Sequence, residues 1–187
     1  MDWKREREAM KLYNLLYKMM GVKFGKSVRL KGFPVIVNKG KISIGDKSVV
    51  KSSFLSNLLG LYQRSVIVTR TKDAVIEIGE DVGISGVTIY AKTKIKIGSY
   101  CKIGVNTKIM DTDFHPVDPQ LRLVRSQDIA TKPITIGENV FIGCNSLILK
   151  GVEIGDNTTI GAGSVVAKSI PANCIAAGNP AKVIKYL

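Results

Sequence analysis

The chain has 187 residues, of which 45% are hydrophobic and 23% charged, a balance that excludes a disordered chain. Lys and Arg number 28 against 15 Asp and Glu, so the formal net charge of +13 favours an anionic partner. The single histidine excludes any site that needs several histidines from one subunit. The three cysteines, Cys101, Cys144 and Cys174, lack metal-binding spacing, and we interpret them as reduced thiols in a cytoplasmic protein.

An amphipathic helix is predicted over residues 2–20, because apolar residues recur at intervals of three and four before Gly21 supplies a stop signal. These apolar residues are Trp3, Met10, Tyr13, Leu16, Tyr17 and Met20. Such a helix either packs on the domain or lies on a membrane surface, which leaves peripheral membrane association open. No run of about 20 apolar residues indicates a membrane span, and no secretion signal is recognised. We assign residues 1–31 to this helix and a linker.

From residue 32 onward, aliphatic residues recur at every sixth position. The longest run is Ile136, Ile142, Ile148, Ile154, Ile160 and Val166, and shorter runs are Ile97, Ile103 and Ile109, and Ile78 and Ile84. This period is typical of a parallel β-helix, in which three hexapeptides form one coil of about 18 residues. Glycine and asparagine suit its corners, where φ turns positive. We assign residues 32–170 to an all-β, parallel β-helix and residues 171–187 to a tail that packs back on it.

Two segments interrupt the period, at about residues 51–64 and 110–133. The second contains Asp111-Thr-Asp-Phe-His-Pro116 and therefore the only histidine, His115. Loops that interrupt a rigid solenoid commonly carry function. A neutral imidazole has a pKa close to the working pH, so His115 is the one candidate for a general base. Asp113 or Asp111 would hold the ring in the correct tautomer, and the sequence does not decide between them.

The chain resembles the hexapeptide-repeat acyltransferases, in the branch of sugar and polysaccharide O-acetyltransferases. Asp111–Pro116 is similar to the histidine-bearing loop of lipopolysaccharide and capsule O-acetyltransferases. The region from Pro133 to Ile184 is similar to galactoside and maltose acetyltransferases. It includes Pro133-Ile-Thr-Ile-Gly-Glu-Asn-Val-Phe-Ile-Gly143, Gly161-Ala-Gly-Ser-Val-Val-Ala-Lys168 and Ala177-Gly-Asn-Pro-Ala-Lys-Val-Ile184. The resemblance extends over roughly residues 42–184.

This resemblance implies a left-handed β-helix, an exception to the right-handed crossover rule. It also implies a homotrimer with active sites at the subunit interfaces, acetyl-CoA as cosubstrate and no metal. His115 would be the catalytic base, and the backbone amide of Cys144 would donate to the oxyanion. A nucleophilic Cys144 is the weaker alternative, because no activating group is evident nearby in the sequence.

The resemblance further assigns residues to two subsites. Acceptor-binding residues would be Ser85, Gly86 and Asp111, although relatives have an asparagine where this chain has Ser85 or Gly86. Residues that bind acetyl-CoA would be Phe141, Gly143, Cys144, Gly161, Ala162, Lys168, Lys182 and Lys185.

The function predicted from the sequence is therefore O-acetylation of a sugar or polysaccharide precursor. An N-acetyltransferase of a nucleotide-linked amino sugar and an inactive β-helix scaffold are the alternatives. A γ-class carbonic anhydrase would need more histidines. A nucleic-acid partner is not expected, since no basic, aromatic-interleaved element or known module is present.

Overall fold

Successive strands of the chain join three sheets in turn, so that each coil contributes one strand to each sheet. The computed structural model describes residues 12–124 and 128–187. Sheet A contains β1 (Val22–Phe24), β4 (Lys41–Ile44), β7 (Val75–Ile78), β10 (Lys94–Ile97), β13 (Ile134–Ile136) and β16 (Glu153–Ile154). Sheet B contains β2 (Arg29–Gly32), β5 (Val49–Ser52), β8 (Gly83–Ser85), β11 (Lys102–Ile103), β14 (Phe141–Ile142), β17 (Thr159–Ile160), β19 (Cys174–Gly178) and β20 (Ala181–Tyr186). Sheet C contains β3 (Val35–Asn38), β6 (Val66–Thr69), β9 (Thr88–Ala91), β12 (Lys108–Met110), β15 (Leu147–Ile148) and β18 (Val165–Val166).

The predicted fold class is confirmed: the chain is a left-handed parallel β-helix. Aliphatic side chains of successive coils stack inside it. One column consists of Ile42, Ile76, Ile95 and Ile134, each paired with the next and at most 1% exposed. The coil from Ile136 to Ile154 has the expected 18 residues. Such stacking removes the apolar side chains from water, and this burial is the main source of stability in the fold.

The corners of the coils use the left-handed backbone conformation that the asparagines predicted. Asn139, Asn157 and Asn173 have φ between +53° and +56°. The side-chain amide of Asn139 donates to Asn157 Oδ1 at 2.9 Å, and that of Asn157 donates to Asn173 Oδ1 at 3.0 Å. These hydrogen bonds link three successive coils at one corner and help to offset the cost of a positive φ in a residue other than glycine.

The β-helix begins ten residues earlier than predicted. Strands β1 and β2 already pair with β4 and β5, so residues 22–31 belong to the first coil rather than to a linker. The spacing from Val22 to its partner Ile42 is 20 residues, two more than the 18-residue repeat used in the prediction. The six-residue period is nevertheless present at Phe24, Leu30, Ile36 and Ile42.

At the amino end, residues 12–19 form helix α1, which ends at Gly21 with φ +78° as expected. Tyr17 is buried and its hydroxyl donates to the Pro34 carbonyl at 2.6 Å, so the helix packs on the first coil. Trp3 and Met10, two of the predicted apolar positions, lie outside the described residues. Within the part of the chain that the structure covers, no helix combines the length and apolar character needed to cross a bilayer.

At the carboxyl end, β19 extends sheet B by pairing in parallel with β17, and β20 turns back along β19 in the antiparallel sense. The tail therefore continues sheet B with its first strand and turns back along that strand with its second.

We expect Ile95→Ala to lower the free energy of unfolding by about 2–5 kcal/mol, because it leaves a cavity in a fully buried stack. Ile184→Ala, the same chemical change at a side chain that is 68% exposed, should cost less than about 0.5 kcal/mol. Urea denaturation followed by circular dichroism measures both values. Equal losses would contradict the assignment of the Ile95 stack as the core.

Candidate functional site

A groove of about 440 Å³ crosses five strands of sheet B and the corners that follow them. Its lining contains Lys51, Asn57, Leu59, Gly83, Ile84, Ser85, Lys102, Ile103, Gly104, Val105, Phe141, Gly143, Cys144, Thr159, Ile160, Gly161 and Ala162. Six residues predicted to bind substrates are therefore brought together here: Ser85, Phe141, Gly143, Cys144, Gly161 and Ala162. None of the described lining residues is acidic.

Glycines allow the coils that form the groove floor to stack closely. A Cβ at Gly143 would lie 2.4 Å from the Ala162 amide nitrogen, and one at Gly104 would lie 2.5 Å from that of Cys144. Either contact is far shorter than van der Waals separation, so only glycine permits the coils to stack this closely. Gly104 and Gly143 are therefore required for the close stacking of the coils at these corners.

Three backbone amides at equivalent corners of this floor have no hydrogen-bond acceptor among the described residues. They belong to Val105, Cys144 and Ala162, which all line the groove. An unpaired N–H group is a ready donor for a carbonyl oxygen or an oxyanion. The Cys144 amide thus has the property that the predicted oxyanion role requires, but it shares that property with its two neighbours.

The thiols differ in their surroundings. Cys101 and Cys174 are fully buried, whereas Cys144 is partly exposed at the groove. Burial raises the pKa of the Cys101 thiol to about 11, and its Sγ donates to the Gly137 carbonyl at 3.1 Å. Cys101 is therefore a small core residue held as the neutral thiol, which matches its interpretation as a reduced cysteine.

The first interrupting loop, residues 53–64, covers one side of the groove. The Tyr62 hydroxyl is 3.2 Å from Asn145 Oδ1, and the Asn106 amide donates to the Gly60 carbonyl at 3.0 Å. Asn57 donates to the Ser85 hydroxyl at 3.3 Å, so Ser85 lies between the loop and the floor. Lys51 and Asn57 line the site but are not predicted from the sequence. Their position at the interruption of the six-residue period was the available signal.

Gly86, predicted to contact the acceptor, is buried beneath the same loop. A Cβ there would lie 3.0 Å from both the Gln63 carbonyl oxygen and Leu61 Cγ. Gly86 has φ +57° and makes the turn after Ser85. In the described chain an acceptor cannot reach it, and its role is to let the loop pack closely.

His115 lies on the second interrupting loop, which follows β12 of sheet C and leads to β13 of sheet A. The imidazole is exposed and does not line the groove, which lies along sheet B. Its ring nitrogens have no hydrogen-bond partner in the described ranges 12–124 and 128–187. Phe114, with φ +66°, packs on Tyr90 at a ring-centroid distance of 4.8 Å and holds the start of the loop.

Asp111, the third predicted acceptor residue, is held against the corner between β9 and β10 of the preceding coil. It is fully buried, and its carboxylate accepts from the Lys92 amide at 2.7 Å, the Thr93 amide at 2.6 Å and the Thr93 hydroxyl at 2.8 Å. Both of its carboxylate oxygens thus accept hydrogen bonds from the preceding coil. This arrangement corrects the expectation of an acceptor contact and gives Asp111 a structural role.

Asp113 is in a different position. Its Oδ1 accepts from Lys150 Nζ at 2.6 Å, in a pair that is mostly buried. Its Oδ2 is also buried but has no hydrogen-bond partner among the described residues. A buried unpaired carboxylate oxygen is unusual, and of the two aspartates only Asp113 has a carboxylate oxygen without a hydrogen-bond partner among the described residues.

The three lysines predicted to bind acetyl-CoA phosphates are exposed and do not line the groove. Lys182 and Lys185 are on β20, opposite Ala177 and Ile175 of β19, and β19 adjoins the groove strand β17. Lys168 follows β18. Their role in binding stays a prediction. No cluster of three potential metal ligands occurs within the residues that the structure describes.

Part of the chain is similar to a known protein family. Residues 133–168 match the family of bacterial transferase hexapeptides (six repeats). This match, over 36 of the 187 residues, agrees with the resemblance to hexapeptide-repeat acyltransferases that the sequence indicated.

Two curated relatives and one solved structure illustrate the similarity. The chain is 44% identical over 100 residues to galactoside O-acetyltransferase of Escherichia coli K12, and the aligned region is 54% of this chain and 48% of the relative. It is 37% identical over 123 residues to polysialic acid O-acetyltransferase of Escherichia coli O1:K1, and here the aligned region is 64% of this chain and 38% of the relative. The chain spans less than half the length of these relatives. The N-acyltransferase AntD from Bacillus cereus, solved with coenzyme A, has the same fold with a TM-score of 0.74, 23% identity and coverage of 92% and 88%.

We predict that Asp111→Asn lowers the free energy of unfolding by about 2 kcal/mol, because its amide group would face backbone N–H donors in a buried site. The exposed Asp73→Asn serves as a matched control and should change stability by less than about 0.5 kcal/mol. Chemical denaturation measures both variants. A normal free energy of unfolding for Asp111→Asn would contradict the structural role.

Proposed function

We propose that this protein is an acetyl-CoA-dependent O-acetyltransferase that acts on a hydroxyl of a sugar or polysaccharide precursor. The observation that carries the proposal is the groove of sheet B, where three residues line the floor whose backbone amides have no partner among the described residues. Seven of its 17 lining residues lie in the hexapeptide region 133–168, and the chain is similar to galactoside and polysialic acid O-acetyltransferases.

The pantetheine arm of acetyl-CoA has the chemistry that fits this floor. Its two amide groups can pair with free backbone amides such as that of Ala162, and the exposed Phe141 ring can cover its apolar carbons. With the arm extending toward β17 and β19, Lys168, Lys182 and Lys185 would receive the phosphate groups. The Cys144 amide would then donate to the oxygen of the thioester as negative charge develops on it.

His115 supplies the general base of the proposed reaction. One ring nitrogen removes the proton from the acceptor hydroxyl as its oxygen attacks the thioester carbonyl, and the C–S bond then breaks. The same nitrogen returns the proton to the departing thiolate, so the histidine ends the cycle neutral. The unpaired Oδ2 of Asp113 favours this aspartate over Asp111 as the partner that orients the ring.

A trimer would bring the base to the groove. His115 and the groove lie on different parts of the coil, after sheet C and along sheet B, so one chain alone does not combine them. Under the proposal, the loop of one subunit extends into the groove of the next, and the rotation of a closed ring repeats this contact three times.

An amine is the alternative acceptor, because the same base and groove would serve acetyl transfer to nitrogen. A relative with 59% identity over 58 residues is an N-acetyltransferase of Lacticaseibacillus casei. Assays that follow thiol release with paired hydroxyl and amino sugars decide between the two acceptor classes.

We expect His115→Ala to lower kcat by about 10²- to 10⁴-fold while the affinity for acetyl-CoA stays nearly unchanged. The physical reason is that only proton transfer is lost, whereas the groove remains intact. Thiol release measures turnover, and calorimetry measures cofactor binding. A variant with normal turnover would refute the base assignment.

The interfacial site is tested by mixing two inactive variants, His115→Ala and Ala162→Trp, after unfolding and refolding them together. The first lacks the base, and the second fills the groove at the exposed Ala162. Random trimers with equal amounts of each should regain about one quarter of wild-type activity, since half of the bases and half of the grooves are intact. A site confined to one chain would show no recovery, and a monomer by light scattering would also reject the proposal.

A further inference from the structure

Among the residues that the structure describes, one lysine in the groove has no anionic partner. Lys51, on β5, lines the end of the groove nearest the amino terminus and is only partly exposed. Lys102, the other lysine of the lining, donates to Asp81 Oδ1 at 3.0 Å and to its carbonyl at 2.6 Å. Lys51 has no comparable contact: its ammonium group meets no acceptor in the parts of the chain that the structure describes.

The strand beside Lys51 adds a second positive charge. Lys31 of β2 is its direct partner in the parallel register, so the two side chains emerge from the same face of sheet B. Like charges that are direct neighbours across strands repel and destabilise a sheet. An anion bound between them would relieve this repulsion, and no acidic residue of the described lining takes that position.

Polar groups that suit a sugar lie directly next to Lys51. Ser85 is its partner on the other side, in β8, and Asn57 donates to the Ser85 hydroxyl. A cation, a hydroxyl and an amide therefore converge at the end of the groove away from β17 and β19. With strands about 4.8 Å apart, the Lys51 backbone lies about 14 Å from the coil of Cys144. A lysine side chain and one sugar ring together span a distance of this order.

We propose that Lys51, supported by Lys31, forms a subsite for an anionic group of the acceptor, a carboxylate or a phosphate carried by the sugar. This inference rests on the proposed function, because it takes the opposite end of the groove as the cofactor end. It narrows the acceptor from sugars in general to acidic or phosphorylated ones.

The test measures binding without turnover, with the full chain and coenzyme A present. Calorimetric or NMR titrations use three probes: methyl glucuronide for a carboxylate, glucose 1-phosphate for a phosphate, and methyl glucoside as the neutral sugar. We expect the wild type to bind at least one anionic probe about 10-fold more tightly than the neutral one, as a charge-assisted hydrogen bond provides. The tighter of the two anionic probes identifies the group that the subsite accepts.

Three variants isolate the role of Lys51. Lys51→Gln should remove the preference for the anionic probe and leave binding of coenzyme A and methyl glucoside unchanged. Lys51→Arg should retain the preference. Lys96→Gln, which removes an exposed charge from sheet A, is the matched control and should behave as the wild type. If Lys51→Gln folds poorly, the wild type is titrated with salt, which should weaken the anionic probes and not the neutral one.

The inference is overturned if the wild type shows no preference for an anionic probe, if salt leaves that preference unchanged, or if Lys51→Gln keeps it. These results are independent of the acetyl-transfer assay. Acetyl transfer without an anionic preference rejects the subsite alone, whereas an anionic preference through Lys51 without acetyl transfer rejects the proposed function.

Discussion

The stacking of aliphatic side chains in register is the constraint on which the rest of the molecule depends. Each coil must bring its isoleucines directly above those of the coil below, as Ile76, Ile95 and Ile134 do. Extra residues within a strand would shift every following side chain out of register. Insertions are therefore tolerated only at the corners, and both long loops leave the chain there, after β5 and after β12.

The two loops leave at different corners, and this difference has a chemical consequence. The loop after β5 follows sheet B and folds over the groove of its own chain, with Leu59 in the lining. The loop after β12 follows sheet C and carries the only histidine away from that groove. The proposed trimer follows from this separation, because an acetyl transfer that needs both elements would draw them from two chains.

The fold was predictable because its signal is periodic, whereas much of the site depends on contacts between distant residues. Ile136 to Val166 keep the six-residue spacing without a break, and the corresponding coils match the prediction. The first coil was missed because its 20 residues depart from that length. Asp111 looks like a loop residue in the sequence, and only the donors of Lys92 and Thr93 reveal its buried role. The proposed role of Lys51 likewise depends on its neighbours across the sheet, Lys31 and Ser85, which the sequence alone does not reveal.

The two ends of the second loop are held in place, whereas its tip is exposed. Asp111 binds the coil below, Thr112 pairs with Thr131, and Asp113 pairs with Lys150 at 2.6 Å, so both ends of the loop are held by buried contacts. Between these two ends, the His115 side chain is exposed. A general base that served its own chain would be oriented by packing against that chain. Under the proposed function, a general base that serves a neighbouring subunit needs a rigid support and a free surface, and this loop has both.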